Sequence, residues 1–146
     1  MKISDLLAPA DVMIDVRVAN KRALLEEFAA RAAAGLGLPA DRVAHYLLKR
    51  EDLGSTGIGR GVAIPHARLP DLQRPCGLLA KLKAPVEFDA IDGQAVDVVF
   101  VLLLPAAAVQ EALAALALVA RTLRSPETLA RLRAAKDAAG LYAAIG

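Results

Sequence analysis

The stretch "VDVVFVLLL", Val96 to Leu104, constrains the fold more than any other part of the chain. β-Branched residues and leucines run almost without a polar break, the pattern of a strand buried on both faces. Such a strand needs an apolar layer on each side, and the flanking sequence supplies helices. Asn20 is placed to cap a helix reaching about Ala34, with Leu24, Leu25, Phe28 and Ala32 on one face and Gly35 ending it. Pro39 opens a second helix, in which Val43 and Leu47 stand four apart. Pro105 stops the buried strand, and Val109, Leu113, Leu116, Ala120 and Leu123 then recur at helical spacing as an inward stripe. Ser125 and Pro126 start another helix, and Asp137 a last short one with Leu141 and Ile145 inward. "VMIDV", "GVAIP" and "GLLAKL" read as further strands, and "APVEFDAIDGQAV" as turns with a short extended piece. The expectation is an α/β fold in three layers, with helices covering a central sheet.

The length of 146 residues suits one domain spanning 1–146. A composition of 56% apolar and 23% charged residues marks it as globular and not disordered. The net charge of +2 is too weak to point to nucleic acid or anionic lipid, and Tyr46, Tyr142 and three phenylalanines offer few platforms for stacking bases. Cys76 stands alone, so no internal disulfide forms and a reducing compartment fits. The opening "MKISDLLAPADV" lacks the long apolar core of a signal peptide. In "VVFVLLLPAAAVQEALAALALVA", Pro105, Gln110 and Glu111 break the apolar run well short of the roughly 20 residues a spanning helix needs. A cytoplasmic location without membrane insertion is the expectation.

The stretch with chemical content is "GSTGIGRGVAIPH", Gly54 to His66. Glycines at 54, 57, 59 and 61 can turn successive N–H groups toward one point, a nest suited to an anion. Ser55 and Thr56 add hydroxyls, and Arg50, Arg60 and Arg68 add charge nearby. His66 is a nucleophile when neutral, and beside an oxyanion seat it has what a transient phosphohistidine requires. Two familiar phosphate loops are excluded: no lysine and Ser/Thr follow the last glycine, and Val62 stands where a dinucleotide fingerprint needs its third glycine. His45, His66 and Cys76 lack the spacing of a zinc site, so no metal or cofactor is expected. Simpler readings stay open. Glycines also make plain turns, Arg50 and Arg68 sit on the surface by default, His45 reads as a solvated helix residue and Cys76 as a small core residue.

"REDLGSTGIGRGVAIPHARL" closely resembles the active-site signature of the enzyme IIA family of the bacterial phosphotransferase system, fructose/mannitol type. The opening "MKISDLLAP" and the closing "LALVARTLRSPETLARLRAAKDAAGLYAAIG" resemble its nitrogen-regulatory branch. The resemblance implies a mixed β-sheet covered by helices on both sides. It implies that His66 accepts the phosphoryl group on its tele nitrogen, Nε2, and that Arg50 helps neutralise it. Ser55, Thr56, Gly57, Gly59, Gly61 and Arg68 would then surround the phosphate. The implied donor is an HPr-type phosphocarrier, charged through enzyme I and phosphoenolpyruvate. The implied targets are regulatory proteins of potassium transport or of nitrogen and carbon metabolism. A sugar-specific component serving a separate IIB subunit, and a binding module that has lost phosphorylation, are the alternatives. One departure stands out: the family's second histidine, seven residues after the strand-ending proline, is replaced here by Ala112.

Overall fold

The computed structural model describes residues Met1–Gly146, with a six-stranded mixed sheet between two helical layers. Its centre is β6 (Val96–Pro105), the run singled out above. It pairs antiparallel with β5 (Cys76–Val86) and parallel with both β3 (Val62–Ala63) and β4 (His66–Leu69). Outside β5 lies β1 (Val12–Val16), parallel to it; outside β3 lies β2 (Gly57–Gly59), antiparallel. Along β6, Val98, Phe100, Leu102 and Leu104 enter one core, and Val99, Val101 and Leu103 the other. Two-sided burial is why the strand carries no polar residue after Asp97 at its start.

The first core is covered by α1 (Ile3–Leu6), α4 (Val109–Arg124), α5 (Pro126–Ala134) and α6 (Ala138–Ile145). The second is covered by α2 (Lys21–Leu36) and α3 (Ala40–Asp52). Three helix starts carry a side-chain cap: Asn20 accepts from Ala23 N at 2.8 Å, Ser125 from Thr128 N at 3.3 Å and Asp137 from Gly140 N at 2.7 Å. Each satisfies a backbone donor that the helix cannot pair internally, worth about 1 kcal/mol.

Two expectations are corrected. Gly35 does not end α2; the helix continues to Leu36 and stops at Gly37, whose φ is 69°. The left-handed cap is at 37 because Ala32 and Ala33 still pack inward and hold the last turn helical. In α4 the buried stripe is Ala112, Ala115, Val119 and Leu123, whereas Val109 and Leu113 face solvent. The first two turns thus put alanine methyls against the sheet, and Val119 and Leu123 fill the later turns.

Candidate functional site

The glycine stretch is a hairpin and not one anion-binding nest. Strands β2 and β3 form its arms, and Gly59, Arg60 and Gly61 form its tip with φ of 98°, 58° and 77°. Three successive left-handed residues demand glycine wherever the side chain can be spared. The tip is pinned from outside: Asp92 Oδ2 accepts from Arg60 N at 2.8 Å, and Arg133 donates to the Arg60 carbonyl while pairing with Asp97 at 3.0 Å. A Cβ on Gly61 would lie 2.7 Å from Arg133 Nη2 and 2.9 Å from Asp97 Oδ1. Val62 is in register with Val98, and His66 with Leu102. At about 3.3 Å per residue, the tip end of the hairpin is about 13 Å along the sheet from His66. Gly59 and Gly61 are not brought to the histidine.

The donors nearer to it are engaged within the protein. Ser55 Oγ donates to the Phe88 carbonyl at 2.5 Å and accepts from Gly57 N at 3.1 Å. Gly57 packs against Ala90, leaving no room for a side chain. Thr56 gives both its N–H and its hydroxyl to the Glu51 carboxylate, at 2.9 and 2.5 Å. The hydroxyls of Ser55 and Thr56 and the N–H groups of Thr56 and Gly57 are thus spent on bonds within the protein.

His66 is the first residue of β4 and is half-buried. Its Nδ1 lies 2.8 Å from the Ile64 carbonyl oxygen. A carbonyl only accepts, so Nδ1 carries the hydrogen and Nε2 keeps its lone pair. Burial lowers the imidazole pKa below its usual 6.5, and the Arg50 charge acts in the same direction. The Ile64 bond and the Glu51 charge oppose the shift and only partly offset it. The ring is therefore neutral at pH 7, with its basic nitrogen unoccupied.

Arg50, in the last turn of α3, donates from Nη1 to the Gly54 carbonyl at 2.9 Å and forms no carboxylate pair. Arg68 lies two residues beyond His66 on the same strand and thus on the same face. Its Nη2 donates to the Ala106 carbonyl at 3.1 Å. The structure brings a neutral imidazole into range of the Arg50 charge, with the Arg68 guanidinium on the same strand face. His45 is exposed on α3, and burial pushes the Cys76 thiol up to about 11, the Asp11 charge assisting. No three of the His, Cys, Asp and Glu side chains are grouped to hold a metal.

Glu51 was not singled out by sequence reasoning. It is only 7% exposed, with Lys21 Nζ 2.9 Å from its carboxylate. The signal was present: Val43, Leu47 and Glu51 recur every four residues, which puts the glutamate on the inward face of α3. Ala112 is 4% exposed and packs in one cluster with Ile64, Leu102 and Leu104. His66 and Arg68 alternate toward that same face of the sheet, since they are in register with Leu102 and Leu104.

Residues 5–146 match the family described as phosphoenolpyruvate-dependent sugar phosphotransferase system, EIIA 2. The chain belongs to this family. A nitrogen regulatory protein of Bradyrhizobium diazoefficiens is 44% identical over 99% of this IIA chain and 95% of its own length. One from Escherichia coli K12 is 41% identical, over 97% of this chain and 88% of its own. The crystal structure of nitrogen regulatory protein IIA-Ntr from Neisseria meningitidis superposes with a TM-score of 0.93 at 33% identity, covering 99% of both chains. IIA mannitol from Escherichia coli shares the fold, with a TM-score of 0.76 at 15% identity over 95% of this chain and 98% of that one. This IIA chain thus sits in the nitrogen-regulatory branch. None of its helices is long and apolar enough to cross a membrane.

Proposed function

We propose that this IIA chain is a phosphohistidine carrier of a cytoplasmic nitrogen-regulatory phosphotransferase system. It accepts a phosphoryl group on His66 from an HPr-type donor, and its phosphorylation state selects its regulatory targets. The observation that carries this reading is the bond from Nδ1 to the Ile64 carbonyl, which leaves Nε2 as the nucleophile. The Nε2 lone pair attacks phosphorus in line, the phosphorus–nitrogen bond of the donor breaks, and its electron pair returns to the donor imidazole. Transfer asks little covalent work of the protein beyond positioning and charge. Arg50 supplies that charge with a guanidinium free of carboxylates, and Arg68 adds a second cation on the His66 face. Ser55, Thr56 and Gly57 support the phosphate seat from behind.

Exposed apolar side chains near these arginines suit a protein donor. Leu53, three residues after Arg50, is 83% exposed. Val109 and Leu113 are exposed on α4, just beyond the Ala106 carbonyl that holds Arg68. Protein–protein interfaces bury apolar side chains and are enriched in arginine, with polar groups at the rim. The test is incubation with enzyme I, an HPr-type carrier and phosphoenolpyruvate, followed by intact mass. Gain of one phosphoryl group that His66→Ala abolishes and His45→Ala preserves is the expected result. No gain in the parent protein would leave the binding-module reading, to which Ala112 lends support. Onward transfer to an added IIB subunit would instead favour the sugar-specific reading.

A further inference from the structure

We propose that Glu51 is the positioning residue of this site, fixing the tautomer and orientation of His66 through Thr56 and Ile64. The connection is continuous. Thr56 is held on the Glu51 carboxylate by both its N–H and its hydroxyl, at 2.9 and 2.5 Å. The carbonyl of Thr56 accepts from Ile64 N at 3.0 Å, and the carbonyl of Ile64 accepts from His66 Nδ1 at 2.8 Å. The carboxylate therefore sets where the Ile64 carbonyl points, and that carbonyl decides which imidazole nitrogen stays free.

Lys21 anchors the other end. Its ammonium lies 2.9 Å from Glu51, donates to the Phe88 carbonyl at 3.3 Å and sits 4.6 Å from the centre of the Phe88 ring. A carboxylate is suited to this position because three donors converge on its two oxygens. A glutamine would turn its own NH₂ toward one of them. Pairing with Lys21 has a second consequence. Although Glu51 is adjacent to Arg50 in sequence, it faces inward and leaves the Arg50 guanidinium without a carboxylate partner.

The positioning role rests on the phosphocarrier reading only for its kinetic consequence, so the experiment has two independent readouts. The first is ¹⁵N NMR of the His66 ring in the protein alone. The parent should show Nδ1 protonated and Nε2 bare, and Glu51→Gln should show a mixture of tautomers. The second is the rate of phosphoryl uptake from an HPr-type carrier, which Glu51→Gln should slow by about tenfold to a hundredfold. Glu51→Asp, which keeps the charge, should recover part of the rate. A folded Glu51→Gln protein with the parental tautomer and rate would overturn the proposal, since a merely structural glutamate alters stability alone. If Glu51→Gln does not fold, Thr56→Val removes one of the two Thr56 bonds, and an unchanged tautomer there overturns the proposal equally. If the parent accepts no phosphoryl group, the carrier reading fails while the tautomer comparison still decides the role of Glu51.

Discussion

The imidazole of His66 is tied to the backbone of Ile64, two residues earlier, by a 2.8 Å bond from Nδ1 to the carbonyl oxygen. Pro65 lies between them and its own carbonyl accepts from Leu102 N at 2.9 Å, so the short segment is fixed to the central strand. A nucleophile held this way loses little freedom at the moment of reaction. Its protonation is set by burial and by the neighbouring Arg50.

A pH dependence follows from that setting. Uptake requires the neutral ring, and the pKa lies below the ordinary value of about 6.5. The rate should stay level as pH falls from 8 past 6.5, and decline only on further acidification. Folding stability moves in the same sense: the unfolded state binds the proton first, so the contribution is complete above about 6.5 and lost as pH falls through the folded pKa. Replacing Arg50 by glutamine removes one lowering influence and should raise the His66 midpoint in an NMR titration. A midpoint that stays put or falls would show that Arg50 does not act on the ring.

Arg50→Lys tests the geometry of the charge. A guanidinium can give one N–H to the Gly54 carbonyl, its present bond of 2.9 Å, and still offer others to a phosphoryl oxygen. Lysine keeps the charge but cannot reproduce that planar fork. The variant should fold normally and show slower uptake or a shorter phosphohistidine lifetime, by roughly tenfold if one charge-assisted bond is lost. Equal rates and lifetimes in the two proteins would assign Arg50 to the surface.

Gly61→Ala separates hairpin shape from phosphate binding. The added Cβ meets Arg133 and Asp97 at 2.7 and 2.9 Å, at a residue whose φ is 77°. Strain and loss of the clamp should cost on the order of 1–3 kcal/mol of stability, read as a lower midpoint in urea. Phosphoryl uptake by the folded protein should be unchanged, because the tip lies well away from His66. A large loss of uptake with parental stability would place Gly61 in the phosphate seat after all.

The parts of this fold that were readable in the sequence are those fixed by neighbouring residues. Asn20, Ser125 and Asp137 announce helix starts because a cap acts within three residues, and Val96 to Leu104 declares a buried strand by composition alone. What escaped depends on distant partners. The hairpin tip is fixed by Asp92, 32 residues from Arg60, and by Arg133, 73 residues away, so a string of glycines alone could equally have been an anion nest. The inward face of α4 was missed only in its first two turns, where the buried residues are Ala112 and Ala115 and the outward Val109 and Leu113 look like the core. Glu51 stood in a charged run at the end of α3 and was hidden by its neighbours Arg50 and Asp52, although its spacing from Leu47 pointed inward.

Ala112 carries the last prediction. Its methyl group packs in the cluster that includes Ile64 and Leu102, on the sheet face to which His66 projects. An imidazole introduced there has too little room as the helix stands, since the position is 4% exposed. Overpacking of this kind typically costs about 1–3 kcal/mol, so Ala112→His should melt at a lower temperature than the parent. The same ring, once accommodated, can donate a hydrogen bond toward a phosphoryl group on His66. A charge-assisted bond in a partly desolvated site contributes on the order of 1.5–3 kcal/mol, a tenfold effect or more. The variant should therefore trade stability for a longer phosphohistidine lifetime or faster exchange with the donor carrier, measured in both proteins at one pH. A variant that loses stability and gains neither would mean that the α4 face at 112 does not reach the phosphate.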